Sequence, residues 1–330
     1  MKAKASLTAP LFVLVLYGLL IASGYLEAKL QAAGDNPYLT VIILQILLFL
    51  IPAIVFCRLK GVGHAVKLNI RLFAPGKLGC TLVAGLTLIC GSILIRFAQI
   101  HLFGMTSFSF SLFESFRPSV ATDDFLFTTM AFAVMPALAE ELIFRAILLT
   151  EYNESGLGAI SSTVILSFLC SMMYFSLEQL PIRFLASVTF CLVTYVTGSS
   201  LAAFLSHLMF NIYGLFGESY IIDALTDPTN RIISLFTFAL LFLILLIILL
   251  GECEHILRRM GQTGTPTPSY RLKTASDGKT PDIAATEASE DEDMKAPVMK
   301  ESAKYGIEAF FSPTFLLCLL VYAIMIFGFI

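Results

Sequence analysis

The stretch Ala139-Glu140-Glu141-Leu142-Ile143-Phe144-Arg145 decides how this chain folds, because it places three ionisable residues inside an apolar run. Apolar residues dominate on both sides, over residues 125–138 and 146–149. A charged side chain deep in a bilayer costs roughly 3 kcal/mol or more, so such residues persist there mainly when they are paired or functional. The stretch therefore predicts a membrane-spanning helix that carries a functional site.

Helical spacing separates the three charged residues. Glu141 and Arg145 lie four residues apart and share one face, in the order that favours an ion pair. Glu140 lies about 100° around the helix from Glu141 and faces other groups. The spacing predicts a structural pair, Glu141 and Arg145, and a carboxylate, Glu140, that is available for chemistry.

The composition is that of a polytopic membrane protein. Of the 330 residues, 57% are hydrophobic and 14% are charged, whereas ordinary soluble domains carry about 25% charged residues. Since a spanning helix needs about 20 mainly apolar residues, the predicted fold is all-α, a transmembrane helix bundle of about eight to nine spans. The nine candidate stretches are residues 9–28, 39–56, 78–100, 125–149, 160–177, 182–196, 201–216, 232–250 and 310–330.

Loop charges predict the orientation in the membrane. Lys2 and Lys4 precede the first span, and further basic residues lie at 58–77, whereas the loops after the third and seventh spans are acidic. Short cytoplasmic loops carry an excess of Lys and Arg, so we expect a multi-pass protein of the cell membrane with a cytoplasmic N-terminus. The basic segment 58–77 is either an amphipathic helix on the inner leaflet or a loop that fixes the topology.

Composition also divides the chain into segments. The acidic, turn-rich segment 251–309 has no apolar periodicity, and such a segment is predicted to be disordered because it buries too little apolar surface. No basic patch typical of nucleic-acid binding is present, and the apolar composition makes the lipid bilayer an expected partner. The predicted organisation is N-terminal spans with the basic segment at 1–124, a core with the charged motif at 125–216, a further span at 217–250, the acidic linker at 251–309 and a C-terminal span at 310–330.

A second polar cluster follows in an apolar setting, where His207 and Asn211 lie four residues apart and share one helix face. Imidazole and carboxamide N–H groups are donors that hold a developing oxyanion, and a carboxylate such as Glu140 acts as a general base toward water. These parts favour amide hydrolysis by an activated water. Two alternatives stay open: His and Asn as interhelical hydrogen-bonding residues, and a small transporter with Glu140 and Glu141 in an ion path.

The order of these motifs resembles that of the CAAX-protease and bacteriocin-processing (CPBP) family of intramembrane glutamic peptidases, which includes the type II CAAX prenyl endopeptidases. The first motif matches Glu140-Glu141-x-x-x-Arg145, with Phe144 inside it, and the third matches His207-x-x-x-Asn211. The similarity extends over residues 135–213. It implies an all-α bundle that hydrolyses a peptide bond of a membrane-embedded or lipidated peptide, including prenylated ones.

The resemblance also implies a role for each matched residue. Glu140 would activate the catalytic water, while Glu141 and Arg145 would support the site. His207 and Asn211 would hold the oxyanion. No cofactor or metal is implied, since the chain has no His-Glu-x-x-His motif and one embedded histidine with scattered carboxylates is a poor zinc site.

The second family motif, Phe-x-x-x-His, is where this chain departs, because no histidine lies between Arg145 and His207. The apolar register places Tyr174 at the aromatic position and Glu178 at the histidine position, whereas an offset by one offers Phe175 and Gln179 in their place.

Glu178 is predicted to replace the histidine only if it shares a proton with Glu140, as two nearby carboxylates do. Glu178 is therefore the sixth candidate catalytic residue. The alternative is a catalytically inactive relative that acts as a membrane scaffold or as a peptide-immunity factor.

Overall fold

The computed structural model describes residues 2–33, 36–60, 70–105, 112–113, 125–155, 157–262 and 305–328. All regular elements among these residues are helical, so the predicted all-α class is confirmed there. In chain order the helices are α1 (Lys2–Ala33), α2 (Pro37–Lys60), α3 (Leu78–Phe103), α4 (residues 125–155), α5 (Ala159–Met172), α6 (Leu180–Thr197), α7 (Ser200–Phe216), α8 (Glu218–Thr226), α9 (Arg231–Gln262), α10 (residues 305–310) and α11 (Pro313–Phe327).

Five of the described helices, α1, α2, α3, α6 and α9, are individually long and apolar enough to cross a membrane. The pair α7–α8, which is bent by 58°, is long and apolar enough only if its two helices are taken together. The chain is thus a multi-pass membrane protein, but the predicted eight to nine spans are not confirmed. Helices α5 and α11 have only 14 and 15 residues, fewer than the roughly 20 that a span needs. Helix α4 is long enough but contains two π-helical segments, at Met130–Val134 and Leu142–Leu148.

Three predicted segments lie wholly or partly outside the described residues. They are residues 61–69 of the basic segment, most of the acidic loop after α3, and residues 263–304 of the acidic linker. The described ends of the predicted linker are helical, because α9 continues to Gln262 and α10 begins at residue 305.

Two apolar clusters hold the bundle together. The first joins α1, α2, α4, α5 and α11, and it includes Tyr17, Phe49, Phe132 and Tyr152. The second joins α3, α6, α7 and α9. Helix α4 belongs to the first cluster and packs against α7 of the second, so its inward face lies between the two.

Pro136 follows directly on a widened segment of α4, just before the acidic residues. In the π-helical segment Met130–Val134, the N–H of Met135 bonds the carbonyl of Met130, five residues back. By the same spacing the carbonyl of Ala131 faces Pro136, which has no N–H to donate. The side chain of Gln45 on α2 donates to Ala131 O instead, at 2.9 Å, so α2 satisfies the carbonyl that proline leaves without a donor.

Basic residues cap the end of α6. Gly198, with φ of 71°, ends this helix in the left-handed conformation that glycine adopts at low cost. The last carbonyls of a helix lack intrahelical donors and carry partial negative charge. Arg71 Nε donates to Gly198 O at 2.8 Å, and Lys77 Nζ donates to Thr197 O at 2.9 Å. Ser199 then caps α7 by accepting from Leu201 N.

A buried polar network joins α3 to α8. Arg96, which is 1% exposed, donates from Nε to Glu218 Oε1 at 2.8 Å and from Nη1 to Gln99 Oε1 at 3.1 Å. Gln99 Nε2 in turn donates to the backbone carbonyl of Glu178 at 2.6 Å. The network thus ties the turn after α5 to the end of α3.

Substituting Arg96 is expected to destabilise the bundle strongly. The change Arg96→Met leaves Glu218 buried without its partner, and losing one member of a buried pair costs about 3–5 kcal/mol. Thermal unfolding in detergent measures the effect. Arg258→Ala is the control, since its pair with Glu254 has side chains 75% and 61% exposed and such pairs contribute little. Equal unfolding temperatures for the two variants would contradict the prediction.

Candidate active site

A buried ion pair anchors the charged motif inside the bundle. Arg145 Nη1 lies 2.9 Å from Glu141 Oε1, so the pair expected from the helical spacing is present. Arg145 is fully buried, and its Nη2 also donates to the backbone oxygen and the hydroxyl of Ser187 on α6, at 3.1 and 2.8 Å. Arg145 therefore links α4 to α6 as well as neutralising Glu141.

His207 joins the same cluster from α7. Its Nδ1 lies 2.8 Å from Glu141 Oε1, and its ring stacks on Phe190 with the centroids 4.6 Å apart. The guanidinium of Arg145 lies 5.2 Å from the centre of the same Phe190 ring. An ionised carboxylate only accepts hydrogen bonds, so contact with ionised Glu141 requires the proton on Nδ1 and leaves Nε2 for other partners.

Two atoms of this cluster have no hydrogen-bond partner among the described residues, Glu141 Oε2 and Arg145 Nε. Buried polar atoms are rarely left without a partner, and ordered water commonly satisfies those that the protein does not. The cluster is therefore a place where water is expected beside α4.

Glu140 faces away from this cluster. Its Oε1 accepts a hydrogen bond from the hydroxyl of Tyr174 at 2.8 Å. Although Glu140 is only 2% exposed, it lies in the wall of a cavity, which the buried Glu141 does not line. The two neighbouring carboxylates thus have different surroundings, one tied into an ion-pair cluster and one facing open space.

The cavity encloses about 20 Å³, and a polar cavity of that size holds about one water molecule. Its walls combine polar side chains from α2, α4, α6, α7 and the turn after α5 with apolar ones. The lining residues are Gln45, Phe49, Leu112, Phe113, Phe132, Pro136, Glu140, Tyr174, Arg183 and Asn211. Geometry and polarity both suit a single water held against the Glu140 carboxylate.

Asn211 reaches this cavity from α7. Its Nδ2 donates one hydrogen to the backbone oxygen of Ala133 on α4 at 3.2 Å. A carboxamide nitrogen carries two hydrogens, so a second one stays available for a group in the cavity. Of the His207–Asn211 pair, Asn211 lines the cavity with Glu140, whereas His207 contacts Glu141 behind it.

Glu178 occupies a different position from the other predicted residues. Helix α5 ends at Met172, well before the end of the predicted span at residue 177, and residues 173–179 form a turn that leads into α6. We refer to these residues as the 173–179 turn. Glu178 is partly exposed there, and the lining of the cavity does not include it. Its predicted carboxylate dyad with Glu140 stays a prediction.

Three lining residues had no chemical role in the sequence-based prediction: Gln45, Tyr174 and Arg183. Gln45 and Arg183 are 1% and 4% exposed, and each is a polar residue inside an apolar stretch, which was the available signal. The second motif uses Tyr174 only as an aromatic residue, whereas in the structure its hydroxyl binds Glu140.

Comparison with known proteins bears on this region of the chain. The family model described as type II CAAX prenyl endopeptidase Rce1-like matches residues 122–213. No curated protein and no solved structure matches the chain. The matched segment carries every residue of the Glu141 cluster and most of the cavity wall. Over residues 122–213 the chain is therefore similar to the type II CAAX prenyl endopeptidases of the CPBP family, as its sequence motifs predicted.

Proposed function

We propose that this protein is an intramembrane endopeptidase in which Glu140 activates a water molecule to hydrolyse a peptide bond. The observation that carries the proposal is the placement of Glu140, a buried carboxylate in the wall of a cavity with room for about one water. The match of residues 122–213 to an endopeptidase family supports it.

The proposed reaction needs one base that later acts as an acid. Glu140 takes a proton from the water while the water oxygen attacks the peptide carbonyl carbon, and the carbonyl oxygen becomes an oxyanion. When the tetrahedral intermediate collapses, the C–N bond breaks and Glu140 returns the proton to the leaving nitrogen. The cycle needs no covalent nucleophile, and the carboxylate ends it in its starting form.

The oxyanion is proposed to bind to donors on α7. Asn211 offers its second Nδ2 hydrogen inside the cavity, because the first is bonded to Ala133 O. The proposed second donor is Nε2 of His207, whose Nδ1 is held by Glu141 behind the cavity wall. Preorganised donors of this kind stabilise the charge that develops in the transition state. Glu141 and Arg145 then act as support, holding His207 and α6 in place.

The proposed substrate is a membrane-embedded or lipidated peptide, and the bilayer is the expected second partner. The cavity lies within a bundle of membrane helices, so a peptide reaches it from within or beside the membrane. We also propose nine crossings of the membrane. They are the five single-span helices, α4, the bent pair α7–α8, and the short helices α5 and α11, each extended by neighbouring residues, 173–179 for α5 and 305–312 for α11.

Replacing Glu140 is expected to remove activity without unfolding the protein. Glu140→Gln keeps an oxygen to accept from Tyr174 but cannot take a proton, and loss of a general base lowers turnover by about 10²–10⁴-fold. The measurement is cleavage of a panel of membrane and prenylated peptides by purified protein, read by mass spectrometry.

The matched control for this variant is Glu154→Gln, an exposed glutamate on the same helix, which is expected to cleave as the wild type does. Full cleavage by Glu140→Gln would refute the proposed role. No cleavage by any of the three folded proteins would count against the proposed activity itself.

The neighbouring glutamate is expected to behave differently. Glu141→Gln removes the negative charge that neutralises the fully buried Arg145, and an unpaired buried charge costs about 3 kcal/mol or more. Thermal unfolding in detergent should therefore show a clear loss of stability for Glu141→Gln and little change for Glu140→Gln. The reverse order of stabilities would contradict the division of roles between the two residues.

The N-terminus is proposed to be cytoplasmic. The basic residues Arg71 and Lys77 contact the end of α6, so that end lies on the same side as the basic segment, which the excess of Lys and Arg places inside. A protease site added at the N-terminus should be cut only in inside-out vesicles. Cleavage only in right-side-out vesicles would reverse the orientation.

A further inference from the structure

Tyr174 has an unusual setting for a residue outside a regular helix. It lies in the 173–179 turn, yet its hydroxyl donates to Glu140 Oε1 at 2.8 Å inside the bundle. Among the described residues, this is the direct hydrogen bond to the Glu140 side chain, and it fixes the position of the carboxylate. The hydroxyl holds one carboxylate oxygen and leaves the other, Oε2, for the water.

The ring of Tyr174 is held from its face by Arg183 of α6. The guanidinium carbon lies 4.0 Å from the centre of the ring, within the roughly 6 Å range of a cation–π contact, and such contacts strengthen when water is excluded. Arg183 is 4% exposed and lines the same cavity. The contact with Arg183 therefore sets the plane of the Tyr174 ring, and the hydrogen bond to Glu140 sets the direction of its hydroxyl.

The backbone around Tyr174 is strained and braced. The next residue, Phe175, has φ of 45°, the sole positive value for a residue other than glycine in the described part of the chain. A bulky residue adopts such an angle only where its surroundings impose it.

Three contacts from other helices support the 173–179 turn. Gln99 Nε2 donates to Glu178 O at 2.6 Å, Tyr322 donates to Ser176 O at 3.1 Å, and the ring of Tyr17 packs edge-on against Phe175 with the centroids 5.3 Å apart.

Helices α1, α3 and α11 therefore all hold the 173–179 turn. A surface turn needs no such support. Contacts from three helices, together with a strained residue, indicate that the position of Tyr174 is closely determined.

We propose that Tyr174 is the positioning residue of Glu140, and that its hydrogen bond orients the carboxylate in the cavity wall. The consequence for catalysis rests on the proposed function, but the hydrogen bond does not.

The chemistry also accounts for the missing histidine of the second motif. This chain needs no imidazole at residue 178, because the hydroxyl of Tyr174 already reaches the carboxylate from the start of the same turn. The group that approaches Glu140 is then a neutral donor, and it does not compete with Glu140 for a proton as a second carboxylate would.

The test is difference infrared spectroscopy of the Glu140 side chain, in which the spectrum of Glu140→Gln is subtracted from that of each protein. The full-length chain in detergent is used throughout. Tyr174→Phe removes only the hydroxyl, and we expect the carboxyl stretching bands of Glu140 to shift because one of its oxygens loses its donor.

Tyr195→Phe is the matched control. Tyr195 also lies inside the bundle, and its hydroxyl donates to Asn153 at 3.0 Å, away from the cavity. In this variant the Glu140 bands should lie where they lie in the wild type. Equal Glu140 bands in Tyr174→Phe and the wild type would overturn the inference, whether or not the protein cleaves any peptide.

A second measurement uses fluorotyrosine at position 174, which keeps the shape of the ring and makes the hydroxyl a stronger donor. The Glu140 bands should then shift in the direction opposite to that in Tyr174→Phe. In the cleavage assay, kcat should fall about tenfold or more in Tyr174→Phe. A loss of packing alone would change stability without shifting the bands in opposite directions.

Discussion

The buried ion pair between Glu141 and Arg145 is the interaction on which the rest of the site depends. Arg145 is fully buried, and a charge in that position is tolerated only with a partner and further hydrogen bonds. Its contacts to Ser187 fasten α6 to α4, and the Glu141 carboxylate holds His207 of α7 at 2.8 Å. Because Glu141 is bound to Arg145 and His207, Glu140 is the carboxylate of the two that faces the cavity.

The second constraint is that backbone groups inside a membrane must find partners within the protein. Irregular backbone is accepted there only where it is buried or lines a water-filled space. Pro136 and the π-helical segment before it leave the Ala131 carbonyl without a backbone donor, and Gln45 supplies one. Asn211 approaches the same region of α4 through Ala133 O. The widened helix thus brings α2 and α7 to the cavity beside Glu140.

Several features of the site were predictable because they depend on local spacing. Residues four apart on a helix share a face, which was enough to pair Glu141 with Arg145 and to separate Glu140 from them. The pattern of spans was less predictable. The apolar run of residues 160–177 looks like one span, yet α5 ends at Met172, because composition does not distinguish a helix from a buried turn that other helices support.

The sequence by itself determined the helical class, the membrane setting and the two polar motifs, since each follows from composition or from spacing along one helix. Tertiary structure alone decided which residues of different helices meet. It placed His207 against Glu141 rather than in the cavity wall, and it brought the hydroxyl of Tyr174 to Glu140. The physical reason is that these contacts join residues far apart in the chain, which no local pattern records. The contact of Tyr174 depends in addition on a strained turn that α1, α3 and α11 hold in place.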